Sequence, residues 1–472
     1  MKICGDELKI EIPRVLIGAV QGRSGKTTFT LGLLKALKDR GLNVQPFKKG
    51  PDYIDPSWMT FSSGEQCRNL DLFMMGKERV RQSFVEHSLN HDISVVEGAM
   101  GLFDGLDIEG SNSSAELAYT IDAPVILVVN CTRLTRSAAA LINGVVNFDP
   151  RIRIGGVILN QVARKRHHNI LLGSIEKYCD VPVLGMLPKS AEVEIPDRHL
   201  GLIPAGEQDQ LKNRIELLGN LVKENVDLDQ ILQLAHSAEP LSHEETKPIH
   251  VKKEEPVRIG VLKDKAFSFY YPENLESLKK RGAELIIVNS MEDTHLPDIH
   301  GLYIGGGFPE MMAEPISKNI SLKQDIKNCI ENNMPVYAEC GGLMYLTKNI
   351  LTEHQAYPMV GIFDCDVQMQ PKPQGIGYTI QKSQGNNPFF AEGTVIRGHE
   401  FHNSKIINLD AEADFAFKTE RGKGIANKQD GLVYKNTLAG YNHLNAIATP
   451  KWAESMIVKA KDYRSKTEKN EW

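Results

Sequence analysis

The chain has 472 residues, of which 24% are charged and 41% hydrophobic, with a formal net charge of -5. That length is too great for one hydrophobic core, so two or three domains are expected. No basic excess suggests a nucleic-acid partner, and apolar runs such as Ala123–Val129 fall far short of the roughly 18–20 residues of a membrane span.

The first residues, "MKICGDELKIEIPR", carry acidic side chains and no apolar signal core, which reads as no signal or transit peptide. Seven cysteines (Cys4, Cys67, Cys131, Cys179, Cys329, Cys340 and Cys365) are scattered, with no C-x-x-C pair. Neither a disulfide framework nor a structural zinc site is expected, and reduced thiols fit a cytoplasmic protein.

Strand-like and helical stretches then alternate. Arg14–Val20 is an apolar run, and Thr28–Gly41 has apolar residues at helical spacing and ends on glycine. Asn43–Phe47, Ile93–Gly98, Pro124–Asn130, Gly155–Asn160 and Val181–Leu187 follow, rich in Val and Ile and apolar on both faces, as buried parallel strands are. Residues 237–256, "SAEPLSHEETKPIHVKKEEP", have the composition of a linker. The rhythm restarts with Val257–Asp264, Ala283–Asn289, Gly301–Gly307 and Pro335–Gly342, and a more mixed β-like stretch spans Tyr357–Tyr434. The reading is α/β with two domains, 13–236 and 257–460, joined by the linker and followed by a frayed tail, 461–472.

The first candidate site is "VQGRSGKTTFTLGLL" (Val20–Leu34). A strand, a glycine-containing turn and Lys-Thr-Thr opening a helix form a phosphate cradle, in which backbone N–H groups and the helix N-terminus face the anion. Lys26 is expected to neutralise the β and γ phosphates of ATP and Thr27 to place its hydroxyl on Mg²⁺. Gly22 and Gly25 allow a tight backbone path, and Ser24 and Thr28 complete the contacts. The strict pattern wants glycine at position 20, where Val20 stands. Arg23 is expected to face solvent.

Magnesium usually takes a carboxylate near the end of another strand. "SVVEGAMGLFDG" offers Glu97 and, seven residues later, Asp104, although Glu97 alone reads equally well as a loop cap. "KKGPDYIDPSW" sets Lys48, Lys49, Asp52, Tyr53 and Asp55 on a loop after the second strand, where doubly wound sheets bind ligands. A solvated turn competes for Lys48 and Asp55. Thr27, Glu97 and Asp52 are expected at the metal, and Lys49, Asp52, Tyr53 and Asp104 on the side of the activated substrate.

The second candidate site is "PVYAECGGLMYL" (Pro335–Leu346). Cys340 ends an apolar run and opens a helix, the pattern of a nucleophile elbow. A free thiol has a pKa of about 8.5; a helix N-terminus and a histidine favour the thiolate. An isolated cysteine is more often structural, but Glu339 and the two following glycines argue otherwise here. Gly306 and Gly307, in the turn "IGGGFPE", and the N–H of Gly341 are candidate donors to an oxyanion.

Several of these stretches are similar to a known family. "KKGPDYIDP", "NLDLFMM", "VVEGAMGLFDG", "GVILNQVARKRH" and "RHLGLIPAGE" resemble the synthetase half of the cobyrinate a,c-diamide synthases. "DKAFSFYYPENLE", "GLYIGGGFPE", "PVYAECGGLMYL" and "RGHEFHNS" resemble its glutaminase half, and the resemblance runs from Pro13 to about Ala460. It implies a P-loop domain like that of dethiobiotin synthetase, then a class I glutamine amidotransferase domain. It also implies ATP- and glutamine-dependent amidation of two carboxylates on a tetrapyrrole, with Mg²⁺, in a possible homodimer. Cobyrinate is the expected substrate, with nickel-sirohydrochlorin or sirohaem as the alternative.

The resemblance makes His443, in "AGYNHLNAIATP", the partner of Cys340. Class I enzymes often carry a glutamate two residues after that histidine and this family often another histidine; here it is Asn445. Asparagine cannot stabilise an imidazolium by charge, so a Cys340–His443 dyad is expected, with any third member open. His399 and His402 are read as structural or substrate-side. Two other classes compete: a P-loop NTPase switch, which would need neither the second domain nor Gln21 in place of its signature lysine, and a carboxylase like dethiobiotin synthetase.

Overall fold

The computed structural model describes residues 8–189, 208–243, 255–353 and 355–469. Two compact units arise, one from the described residues up to His243 and one from those after residue 254. "RHLGLIPAGE" lies outside the described residues.

The first unit is built on seven parallel strands: β2 (Arg14–Ala19), β3 (Val44–Lys49), β4 (Arg68–Leu70), β5 (Ile93–Glu97), β6 (Val125–Asn130), β7 (Ile154–Val162) and β8 (Val183–Pro188). Their order is β4-β3-β5-β2-β6-β7-β8. β2, β3 and β5 are buried at every position; β2 and β5 run largely apolar on both faces accordingly, whereas β3 departs from the expected apolar run by burying Gln45, Lys48 and Lys49. The helix Lys26–Asp39 packs Phe29, Leu33, Leu34 and Leu37 inward. Register sets Glu97 level with Lys48 on one side and Ile17 on the other. The loops after β2, β3 and β5 therefore open at one edge, side by side. A further pair, β1 (Leu8–Ile10) with β9 (Leu241–His243), is antiparallel. Here the structure departs from the expected linker: residues 241–243 are a strand, and Leu241 is fully buried.

The second unit carries a sheet of ten strands. β10 (Val257–Leu262), β12 (Ala283–Val288), β13 (Gly301–Ile304), β15 (Val336–Glu339) and β24 (Thr437–Gly440) are parallel. β19 (Gly375–Ser383), β20 (Val395–His402), β22 (Phe415–Arg421), β23 (Gln429–Tyr434) and β25 (His443–Leu444) continue it antiparallel. The order is β12-β10-β13-β15-β24-β23-β22-β19-β20-β25. β11 (Phe267–Phe269) pairs with β14 (Gly306–Gly307), and β16 (Thr347–Leu351), β17 (Ala356–Pro358), β18 (Phe363–Met369) and β21 (Ser404–Ile407) form a four-stranded sheet. The last helix, Lys451–Glu468, buries Trp452, Ala453, Met456, Ile457 and Ala460, and its regular turns continue to Glu468 through the stretch expected to fray. Among the described residues no helix is long and apolar enough to cross a membrane.

Candidate functional site

The first unit gathers its charged groups where β2, β3 and β5 end. β2 stops at Ala19, and the chain turns through Val20–Gly25 into the helix that begins at Lys26. Gly25 caps that helix with φ +91°. A Cβ there would sit 2.0 Å from Asn160 Nδ2, so both conformation and space require glycine. Asn160, on β7, donates that nitrogen to the Ser24 carbonyl at 3.0 Å, while Ser24 Oγ donates to the Gln21 carbonyl at 2.9 Å. Gly22 is different. A Cβ there would meet nothing within 4 Å, and its φ is not positive. The tight path expected to need two glycines needs one, because Arg23, which is exposed, takes the left-handed conformation with φ 58°.

Thr27 Oγ1 donates to Glu97 Oε1 at 2.8 Å, and Lys48 Nζ donates to the same oxygen at 2.7 Å. Glu97 is fully buried, and its other oxygen, Oε2, has no hydrogen-bond partner among the described residues. A buried carboxylate oxygen without a donor leaves a position that a water or a cation would satisfy. Burial, reinforced by Asp55, raises the Glu97 carboxyl above its ordinary range, with Lys48 opposing. Lys48 is itself buried, and although burial works against its charge, Glu97, Asp55 and Asp52 raise its ammonium. Lys26 Nζ donates to the Met100 carbonyl at 2.6 Å, and burial lowers its proton affinity.

Asp52 also serves the local turn. Its Oδ1 accepts from the backbone N–H groups of Ile54 and Asp55 at 2.8 and 3.2 Å, capping the helix Ile54–Ser63. Its Oδ2 is 3.9 Å from Lys48 Nζ, whereas Asp55 is hydrogen-bonded to that ammonium. Burial and Asp55 raise Asp52 to about 6. Lys48 and Asp55, for which a solvated turn competed in the sequence, are thus central to the cluster. Lys49 is buried beside it, and burial lowers its proton affinity. Tyr53 stands at the N-cap of the same helix. Asp104 is exposed; its Oδ2 accepts from Gly101 N at 2.8 Å, and its charge acts on Lys26. Among the described residues no group of three His, Cys, Asp or Glu side chains could hold a metal alone. The cluster still fits magnesium, which keeps several waters and takes only one or two carboxylates together with phosphate oxygens.

In the second unit Cys340 follows β15 with φ 50° and ψ -97° and caps the helix Gly341–Leu346. A non-glycine residue in that conformation is strained, as at a nucleophile elbow. Cys340 N donates to the Gly440 carbonyl at 2.7 Å, tying the elbow to β24. Three residues after Gly440 comes His443, 2% exposed, whose cation the neighbouring Cys340 thiol favours. Burial disfavours its cation, but Cys340 and Glu339 favour it, and the imidazole is raised to about 10.

The three glycines converge on this pair. A Cβ on Gly306 would lie 2.4 Å from His443 Cε1, one on Gly307 2.0 Å from the Ala266 carbonyl oxygen, and one on Gly341 3.1 Å from Gly307 N. Backbone nitrogen therefore lies beside the elbow where an oxyanion would form.

"RGHEFHNS" is closer to this centre than its sequence suggested. β20 pairs His399 with His443, and their rings stack at 4.8 Å with planes 19° apart. Phe401 O is 3.9 Å from Cys340 Sγ, and His402 stacks on Tyr441. Burial and the neighbouring His443 keep His399 well below the ordinary histidine range.

Sequence reasoning missed Asn160, and it noted Glu339 only as a flank of Cys340 without a role of its own. Asn160 carried no signal of its own until Gly25 was seen against it. Glu339, adjacent to the nucleophile, has Oε2 3.8 Å from His443 Nδ1. Asn445, at the position of the expected partner, turns its Oδ1 to Ile447 N and Ala448 N instead.

Comparison with known proteins matches both units. A model described as a CobQ/CobB/MinD/ParA nucleotide binding domain matches residues 15–203. One described as a CobB/CobQ-like glutamine amidotransferase domain matches 258–450. The chain is 44% identical over 447 residues to a cobyrinate a,c-diamide synthase of Magnetococcus marinus, covering 94% of this chain and 96% of that one. It is 40% identical over 456 residues to the protein of that name from Archaeoglobus fulgidus, covering 96% and 98%. To the one from Listeria monocytogenes it is 43% identical over 434 residues, covering 92% and 96%. Two units in this order, similar almost from end to end, place the chain in the cobyrinate a,c-diamide synthase family.

Proposed function

We propose that this chain uses ATP and glutamine to convert the a and c side-chain carboxylates of cobyrinate to amides. The observation that carries the reading is the pairing, in one chain, of a Lys26–Thr27–Glu97 phosphate-type loop with a strained Cys340 elbow beside His443.

In the second unit the Cys340 sulfur attacks the side-chain amide of glutamine. His443 gives a proton to the departing nitrogen, ammonia leaves, and water attacks the glutamyl thioester, releasing glutamate and restoring the thiol. Backbone N–H groups at Gly307 and Gly341 receive the oxyanion.

In the first unit a substrate carboxylate oxygen attacks the γ-phosphorus of ATP, and ADP leaves. Ammonia adds to the acyl phosphate, and inorganic phosphate departs as the amide forms. Lys26 neutralises phosphate charge, and the N–H groups from Ser24 to Thr28 cradle it. Thr27, Glu97 and one of Asp52 and Asp55 would hold Mg²⁺, which when bound supplies charge neutralisation on the phosphates. Lys48 fixes the Glu97 carboxylate. Lys49, Tyr53 and Asp104 line the side from which the substrate carboxylate arrives.

The test is a panel of tetrapyrrole acids, cobyrinate and the sirohydrochlorin type among them, incubated with ATP and glutamine and read by mass. Two amidations on cobyrinate are expected. Selective amidation of a sirohydrochlorin-type acid would overturn the substrate assignment, and no amidation of any of them would overturn the reading.

A further inference from the structure

We propose that Glu339 is the positioning residue that holds and charge-balances His443, in the role that residue 445 does not fill. The inference rests on the reading of Cys340 and His443 as a glutaminase pair.

Its basis is geometric. Glu339 is the last residue of β15 and 1% exposed. Its carboxylate is fixed from two sides: Tyr303 OH donates to Oε2 at 2.9 Å and Leu444 N to Oε1 at 3.1 Å. Leu444 is the neighbour of His443 on β25, so the same carboxylate grips that strand and faces its histidine. Tyr303 is held in turn by Asn274, whose Nδ2 donates to its OH at 3.1 Å and to the Leu444 carbonyl at 3.0 Å. Asn274 Oδ1 accepts from Ala446 N at 2.7 Å. This buried network fixes Glu339 Oε2 at 3.8 Å from His443 Nδ1, within ion-pair range.

Asn445 cannot substitute, because its side-chain oxygen is used by the turn that follows. The other titratable groups around His443 do not supply negative charge in its place. His399 stacks on its ring from β20 and bonds to Tyr271 OH at 3.4 Å, and His402 lies beyond it on the same strand. Cys340 is the reacting group itself. A carboxylate behind the far nitrogen of a catalytic imidazole fixes its orientation and favours its protonated form. The raised proton affinity of His443 agrees with that arrangement.

The experiment compares Glu339→Gln with the unaltered chain, using glutamate release against pH, alkylation of Cys340 by iodoacetamide at pH 7, and thermal unfolding. Removing the negative charge makes His443 lose its proton at lower pH. The alkaline limb of glutamate release should therefore move down by about one to two pH units. The rate constant and the alkylation rate should each fall at least about tenfold. A merely structural role would lower the rate at all pH values without moving the limb, and that result would overturn the inference. If Glu339→Gln does not fold, Glu339→Asp serves: it keeps the charge but draws it back, so the limb should shift the same way by a smaller amount. An unchanged limb and rate in a folded Glu339→Asp chain would also overturn it. Cys340→Ser separates the two levels. If that variant still releases glutamate, the glutaminase reading has failed; if it is inert and Glu339→Gln behaves as unaltered, only the role of Glu339 has.

Discussion

Thr27 donates its hydroxyl to Glu97 at 2.8 Å, joining the first turn of one helix to the end of a strand 70 residues later. Lys48 reaches the same carboxylate oxygen at 2.7 Å, leaving Oε2 as the oxygen without a donor among the described residues. Under the proposed function Glu97 does two jobs: one oxygen organises the loop and the other would take a cation.

Replacing Glu97 with Gln tests this division. The amide cannot bind a cation as a carboxylate does, and it leaves the buried Lys48 with one counter-charge fewer. Amidation should fall at least about 10²-fold with either glutamine or ammonium as nitrogen source. Stability should drop by about 1–3 kcal/mol, less than for a fully stranded charge because Asp55 remains. Steady-state assays with both nitrogen sources and denaturant titration measure the two effects. Retention of amidation would remove Glu97 from the metal.

The loop's two glycines should respond oppositely to alanine. Gly25→Ala places a methyl group on Asn160 Nδ2 in a backbone conformation that disfavours side chains. It should cost about 1–3 kcal/mol and abolish detectable ATP binding by calorimetry. Gly22→Ala meets open space, so its effect should stay within about 0.5 kcal/mol with ATP binding intact. Equal effects would show that the loop path differs from the one described.

Cys340→Ser should lower glutamine-dependent amidation by at least about 10³-fold, while ammonium salts still support product formation. Loss of ammonium-dependent amidation in a folded variant would show that the two units do not divide the chemistry in this way. Gly306→Ala, which drives a methyl group against His443 Cε1, should lower glutamine use in the same selective manner.

Stability should depend on pH through His443. Its folded proton affinity, raised to about 10, exceeds the unfolded value of about 6.5. The protonated form is then favoured by folding. That contribution is complete below about pH 6.5 and disappears as pH rises through 10. The difference in thermal midpoint between the unaltered chain and His443→Gln should therefore narrow from pH 6 to pH 10.5. A difference constant with pH would mean that His443 does not carry this charge.

Much of the fold was legible because its causes are local. β2 and β5 run largely apolar on both faces since helices and loops cover both faces of a parallel sheet. "GKTT" announced its loop because a phosphate cradle is one turn and one helix start, all within a few residues. Cys340 was recognisable for the same reason: a strand, a nucleophile and two glycines in immediate succession make an elbow.

What sequence could not settle were relationships across the chain. Lys48 and Asp55 could be ranked above a solvated turn only when parallel register set Lys48 level with Glu97. Asn160 became meaningful only against the missing Cβ of Gly25. Position 445 drew attention because spacing along the chain was the sole guide, yet its side chain serves the next turn. The carboxylate facing His443 comes from Glu339, more than 100 residues earlier, because pairing of β15 with β24 brings the elbow beside the chain that leads into β25. Apolar periodicity and turn chemistry are properties of neighbouring residues, so the amino-acid order alone determined the strands, the phosphate loop and the nucleophile elbow. Which charges face one another is set by strand register and burial, and that was decided only when the sheets assembled.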